Sequence, residues 1–131
     1  MNIKKRLVEE VQKARRDSEK AKAEDAHRET EAKELFLPIV RAMEQVQEEL
    51  LHHDNIKICI SDQHVDIKLG KGTALEAHRY GWSNSFTIEE TNTYEYPEYD
   101  VIETKHDFGT AEEAIDFLVK KCAQYVARRQ E

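Results

Sequence analysis

Apolar residues recur through the first half of the chain with a helical period. Ile3, Leu7, Val11, Ala14 and Ala21 fall at spacings of three, four and seven, which puts them on one seam of a helix. Between residues 15 and 34 the seam thins into alanine, glutamate, lysine and arginine. These are good helix formers, with supporting pairs such as Glu24 with Arg28 and Glu29 with Lys33, so this section is predicted helical without being buried. Apolar density returns at Leu35, Phe36, Ile39, Val40, Met43, Val46, Leu50 and Leu51, a stripe broad enough to pack on a sheet. Pro38 lies near its beginning, where it deletes a helical hydrogen bond and crowds the preceding turn. The pattern therefore predicts a long amino-terminal helix, kinked or split near Pro38. Unbroken from residue 2 to 52, it would be about 75 Å long at about 1.5 Å per residue. A core of this size needs no such rod, so a second helix, most simply from another copy of the chain, is expected along the seam.

After residue 54 the period changes to two. Ile56, Ile58 and Ile60 alternate with Lys57 and Cys59, and Val65, Ile67 and Leu69 alternate with Asp66 and Lys68. The SDQH stretch between them reads as a hairpin turn, and GKG ends the second strand. A third strand, bent at Gly81, is expected within residues 75–90, with His78, Tyr80, Trp82, Phe86 and Ile88 on one face; a fourth covers residues 99–106. The closing stretch has Thr110 as N-cap, Glu113 three residues on, and an apolar stripe of Ala111, Ala114, Ile115, Leu118, Cys122, Tyr125 and Val126. The expected fold is α+β: the long helix, a four-stranded antiparallel meander, and a carboxyl-terminal helix packed on one sheet face. We expect one domain overall, divided into a helical association arm over residues 1–34 and a compact α+β part over residues 35–131.

Charge sharpens this picture. The chain carries 39% apolar and 36% charged residues and a formal net charge of -7, unevenly spread. Lys4, Lys5, Arg6, Lys13, Arg15 and Arg16 outweigh Glu9 and Glu10 at the start, whereas Glu89, Glu90, Glu95, Glu98, Asp100, Glu103 and Asp107 face only Lys105 later on. Such a balance disfavours duplex nucleic acid as a direct partner. The start holds no apolar run, so neither a secretory signal nor a membrane span is expected, and the cytoplasm is the expected location. Cys59 and Cys122 both fall in apolar patterns and read as buried free thiols.

Signatures of chemistry are sparse. The GKGT stretch lacks the glycine pattern of a phosphate-binding loop, no local turn motif marks Ser61, Ser83 or Ser85 as a nucleophile, and Cys59 has no sequence-local activating base. No catalytic residue, cofactor or metal is expected, and the chain reads as a non-enzymatic protein-protein interaction module. One alternative is a small enzyme or metal protein. Asp62, His64 and Asp66, spaced by two, would share a strand face, with His78 or His106 supplying a further ligand from a neighbouring strand.

Three surfaces suit binding instead. The seam of Ile3, Leu7, Val11, Ala14 and Ala21 is expected to form a homo-oligomer. Arg79, Tyr80 and Trp82 combine aromatic area with hydrogen bonding, the makeup of an interface hot spot, although Tyr80 and Trp82 would equally serve as sheet core. Glu89, Glu90, Tyr94, Glu95, Tyr96, Glu98, Tyr99 and Asp100 form an acidic, tyrosine-bearing hairpin. The expected role is a homo-oligomeric regulator or scaffold with a second protein partner. A further alternative is an acidic inhibitor or decoy of a nucleic-acid-binding protein, using residues 89–107.

Overall fold

The computed structural model describes residues 2–129; Met1, Gln130 and Glu131, which the expected domain limits include, lie outside the described residues. The first element is one helix, α1 (Ile3–Glu49), opened by Asn2, whose side chain accepts a hydrogen bond from the Lys5 backbone N–H at 3.1 Å. Pro38 sits inside it, so of the two expected forms, a helix kinked or one split near Pro38, the split does not occur. The physical reason is burial on both sides of the proline. Phe36, Ile39 and Met43 are wholly withdrawn from water. Each such side chain contributes about 1.5–3 kcal/mol, which together exceeds the roughly 3 kcal/mol that an interior proline costs.

Five strands follow: β1 (Ile56–Ile60), β2 (His64–Leu69), β3 (Thr73–His78), β4 (Phe86–Tyr94) and β5 (Asp100–Phe108). They pair in sequential order, every pair antiparallel. The meander is as expected, but it has five strands rather than four. The single strand expected over residues 75–90 is two strands separated by a turn, in which the Ser83 N–H donates to the Tyr80 carbonyl at 2.9 Å. That turn is tied to α1: the Gly81 N–H donates to Glu29 Oε1 at 3.1 Å, and Gln63 from the β1–β2 turn donates to Glu29 Oε2 at 2.7 Å. Ala32 is buried as well, so α1 meets the sheet's turns from about residues 28–32 onward.

The last helix, α2 (Ala111–Arg129), starts as the sequence predicts. The Glu113 N–H donates to Thr110 Oγ1 at 3.2 Å, and the hydroxyl in turn donates to the Glu113 carboxylate. Ala114, Leu118 and Cys122 join the core residues of α1 over one sheet face, where Ile58, Val65, Ile67, Leu69, Leu75, Ala77, Phe86 and Ile88 close the core. The two cysteines do not share an environment. Cys122 is buried, but Cys59 is exposed, because the alternation that turns Ile58 inward turns its neighbour outward.

One ion cluster sits beneath α2. Glu90 is buried, accepts from Lys121 Nζ at 2.9 Å, and lies 3.1 Å from His106 Nε2. Burial pushes its carboxyl up, but hydrogen bonds from Lys121, Asn92 and His106, with the lysine charge, more than offset this, and the net shift is downward. A depressed folded-state value means that the stability Glu90 contributes is present above the unfolded carboxylate range and lost as pH falls through the folded value. Glu90→Gln should therefore cost about 1–2 kcal/mol near neutrality and noticeably less in acid. Urea unfolding at a series of pH values measures this, and a pH-independent difference would contradict it.

The β2–β3 turn sets the register of the sheet's centre. Gly70 has φ +66°, and a Cβ there would lie 2.7 Å from the Tyr125 hydroxyl; one at Gly109 would meet nothing. Gly70→Ala should destabilise by about 1–3 kcal/mol, from left-handed backbone cost plus displacement of Tyr125. Gly109→Ala should stay within about 0.5 kcal/mol of the parent in the same denaturation assay.

Candidate metal centre

Because both helices cover one face of the sheet, the other face is left open. Its side chains are fixed by register. One transverse row reads Cys59, Asp66, Glu76, Glu89 and Lys105, and the next reads His64, His78, Thr87 and Asp107. Asp66 and Glu76 are thus directly opposite across β2 and β3, and Glu89 is opposite Glu76. Like charges placed directly across strands repel. The fold sets three carboxylates in line before Lys105 closes the row.

His64 stands against the first two. Its Nε2 lies 2.7 Å from Glu76 Oε1, and its Nδ1 lies 3.6 Å from Asp66 Oδ2. One donor atom from each of His64, Asp66 and Glu76 falls within 4.8 Å of the others, and all three side chains are half-buried. A neutral imidazole can donate to only one carboxylate. A divalent cation would answer all three groups together. Ligands about 2.1 Å from a zinc-like ion lie about 3.4 Å apart in a tetrahedron, so small rotations of these partly exposed side chains suffice.

Beside the cluster runs a groove of about 450 Å³, lined by Asp66, Glu76, Glu89, Glu103, Lys68 and Lys105. On the cluster's other side His64 is stacked with His78, His78 with Tyr80 and Tyr80 with Trp82, at centroid separations of 6.4, 4.8 and 5.4 Å. His78 Nδ1 is buried without a hydrogen-bond partner, and its Nε2 lies 4.0 Å from Glu89. The stacked rings brace the His64 imidazole from behind.

This cluster overturns the expectation of a chain without catalytic chemistry. Three donors that leave coordination positions free, next to a groove, are what a metal-dependent catalytic site requires. The alternative based on His64 and Asp66 found the right strand face but not the right partners. His106 lies on the opposite face with Glu90, and Asp62, in the turn, is outside the cluster. Glu76 was missed. Its signal was present in the GKG turn, which pairs Leu69 with Thr73 and hence Asp66 with Glu76, and in the inward Leu75 and Ala77 on either side of it.

The remaining expected sites are scattered. Ile3, Leu7 and Val11 are exposed on α1, as are Ala14 and Ala21. Trp82 is 75% exposed and so is not core, while the Arg79 guanidinium lies over the Phe86 ring at 4.6 Å. Tyr94, Glu95, Tyr96, Glu98, Tyr99 and Asp100 are exposed around the β4–β5 turn, where the Tyr96–Pro97 peptide is cis. Glu90 does not belong to that acidic surface. It points under α2, whereas Glu89 points into the open face, so residues 89–107 present two faces rather than one. Among the described residues no helix is long and apolar enough to cross a membrane. Comparison with protein-family models, with curated proteins and with solved structures finds no match to the chain.

The thiols give a direct check of the two faces. Cys59 lies on the open face, while burial pushes the Cys122 thiol up to about 11. Iodoacetamide at about pH 8 should label Cys59 in the folded protein and reach Cys122 only after denaturation, read by peptide mass spectrometry. Equal labelling of both would contradict the assigned faces.

Proposed function

We propose that the open sheet face binds a divalent transition-metal ion through His64, Asp66 and Glu76, with its free positions turned to the groove as a centre for metal-assisted chemistry on a small ligand. The observation that carries this reading is the Asp66–Glu76 pair, held directly opposite across two strands with His64 against both. One imidazole and two carboxylates favour zinc, cobalt or manganese over magnesium, which prefers oxygen ligands and retains its water.

Calorimetric titration of dialysed protein should give one zinc ion per chain, in the affinity order zinc, then manganese, then magnesium. His64→Ala should weaken zinc binding by about 100-fold or more, and Glu76→Gln and Asp66→Asn by about 10- to 100-fold. Asp62→Asn should leave it unchanged. The cobalt-loaded protein should alter its visible spectrum when azide is added, reporting a coordination position open to ligand. Zinc uptake that survives His64→Ala would overturn the reading.

A second reading, self-association through α1, is favoured by the exposure of Ile3, Leu7, Val8 and Val11 along a helix far longer than the sheet beneath it. A solution mass that stays at the 15.3 kDa of one chain at every concentration would remove it.

A further inference from the structure

Beyond the seam, a second uncovered apolar surface lies between the helices. A groove of about 590 Å³ runs between α1 and α2 on the side away from the sheet, with Ala42 and Val46 on one wall and Val119, Ala123 and Val126 on the other. Small side chains at Ala42 and Ala123 let a third helix approach closely, and Val119 is 40% exposed. The seam on the arm is a helix face without a groove, and this is a groove without a helix. One continuous helix, α1, carries both the seam and one wall, so the arm cannot fold back into its own groove.

Charge identifies the occupant. The ends of α1 are charged against their own macrodipole. Lys4, Lys5 and Arg6 stand at the amino-terminal end, with no acid in the first turn, while Glu44, Glu48 and Glu49 stand at the other end, with no base in the last turn. Each arrangement is unfavourable in an isolated helix. An antiparallel copy reverses both effects, because it sets the basic end of one helix beside the acidic end of the other. The helix phase agrees. A strict seven-residue line from Leu7 passes Ala14, Ala21, Arg28, Leu35 and Ala42, so it runs from the seam to the groove wall with the drift that a left-handed supercoil absorbs.

We infer that the protein forms an antiparallel dimer in which residues 3–11 of each copy lie in the α1/α2 groove of the other, opposite residues 42–50. The inference rests on the self-association reading and specifies its geometry. Opposite charges meet at both ends, Lys4 and Lys5 of one copy against Glu48 and Glu49 of the second, and Asp25 and Arg28 face their counterparts near the two-fold axis. Each arm shields the other copy's groove from water, and both copies use the same pair of surfaces, as a closed two-fold assembly demands.

Sedimentation equilibrium of the full chain tests this, with circular dichroism confirming that each variant is folded. The parent should have twice the mass of one chain. Leu7→Glu on the arm and Val119→Glu in the groove should each weaken association by on the order of 10- to 100-fold. Lys4→Glu with Lys5→Glu should also weaken it, and adding Glu48→Lys with Glu49→Lys should restore it. A parent that is monomeric up to about 100 µM would remove both self-association and this geometry. A dimer that Leu7→Glu dissociates, but that Val119→Glu and the charge exchange leave intact, would keep self-association and overturn the groove as its seat.

Discussion

Everything in this molecule depends on the removal of one sheet face from water beneath two helices. Phe36, Ile39 and Met43 of α1 and Ala114, Leu118 and Cys122 of α2 meet the inward residues of the sheet. Strand alternation then leaves no freedom for the rest. Once Val65, Ile67, Leu75 and Ala77 turn inward, His64, Asp66, Glu76 and His78 must turn outward, and the antiparallel register decides which of them face each other. The polar cluster is thus a by-product of core formation in position, while its composition is independent of the core. Any outward residues would satisfy the packing, yet the fold sets carboxylate against carboxylate beside an imidazole.

The inner face shows how the same fold handles charge when an internal partner exists. Glu90 is buried, and Lys121, His106 and Asn92 supply enough hydrogen bonds and charge to keep its carboxylate ionised. On the open face Lys68 and Lys105 line the same groove, but among the described residues neither forms an ion pair with Asp66 or Glu76, which meet only His64. Compensation is built in on one side of the sheet and left to solvent or an ion on the other.

Much of this architecture was legible in the sequence, because periodicity reports burial directly. The change of period after residue 54, the capping of α2 by Thr110 and the inward isoleucines of β1 all appear as read. The failures have definite causes. At Pro38 the sequence left one helix or two open, because the packing of Phe36, Ile39 and Met43 that keeps the helix whole is tertiary. The ring series His78, Tyr80, Trp82 and Phe86 imitates one alternating strand, whereas the Glu29 contacts that fold back the turn between β3 and β4 come from a residue over fifty positions away. Glu76 was missed as a candidate ligand because its place opposite Asp66 follows only once the GKG turn sets β2 and β3 in register. The basic start and the acidic helix end were each visible, but only the unbroken α1 places them at opposite ends of one rod.

That unbroken rod constrains how the chain can change over generations. A helix turns about 100° and advances about 1.5 Å with each residue, so one residue gained or lost between Val11 and Ala32 would swing Leu7 and Val11 about a quarter-turn away from their direction relative to the sheet. Substitutions in that exposed polar stretch leave the phase untouched. Apart from Glu29, which is held by its bonds to Gly81 and Gln63, it is the length of that stretch rather than its letters that fixes the direction of Leu7 and Val11 relative to the sheet.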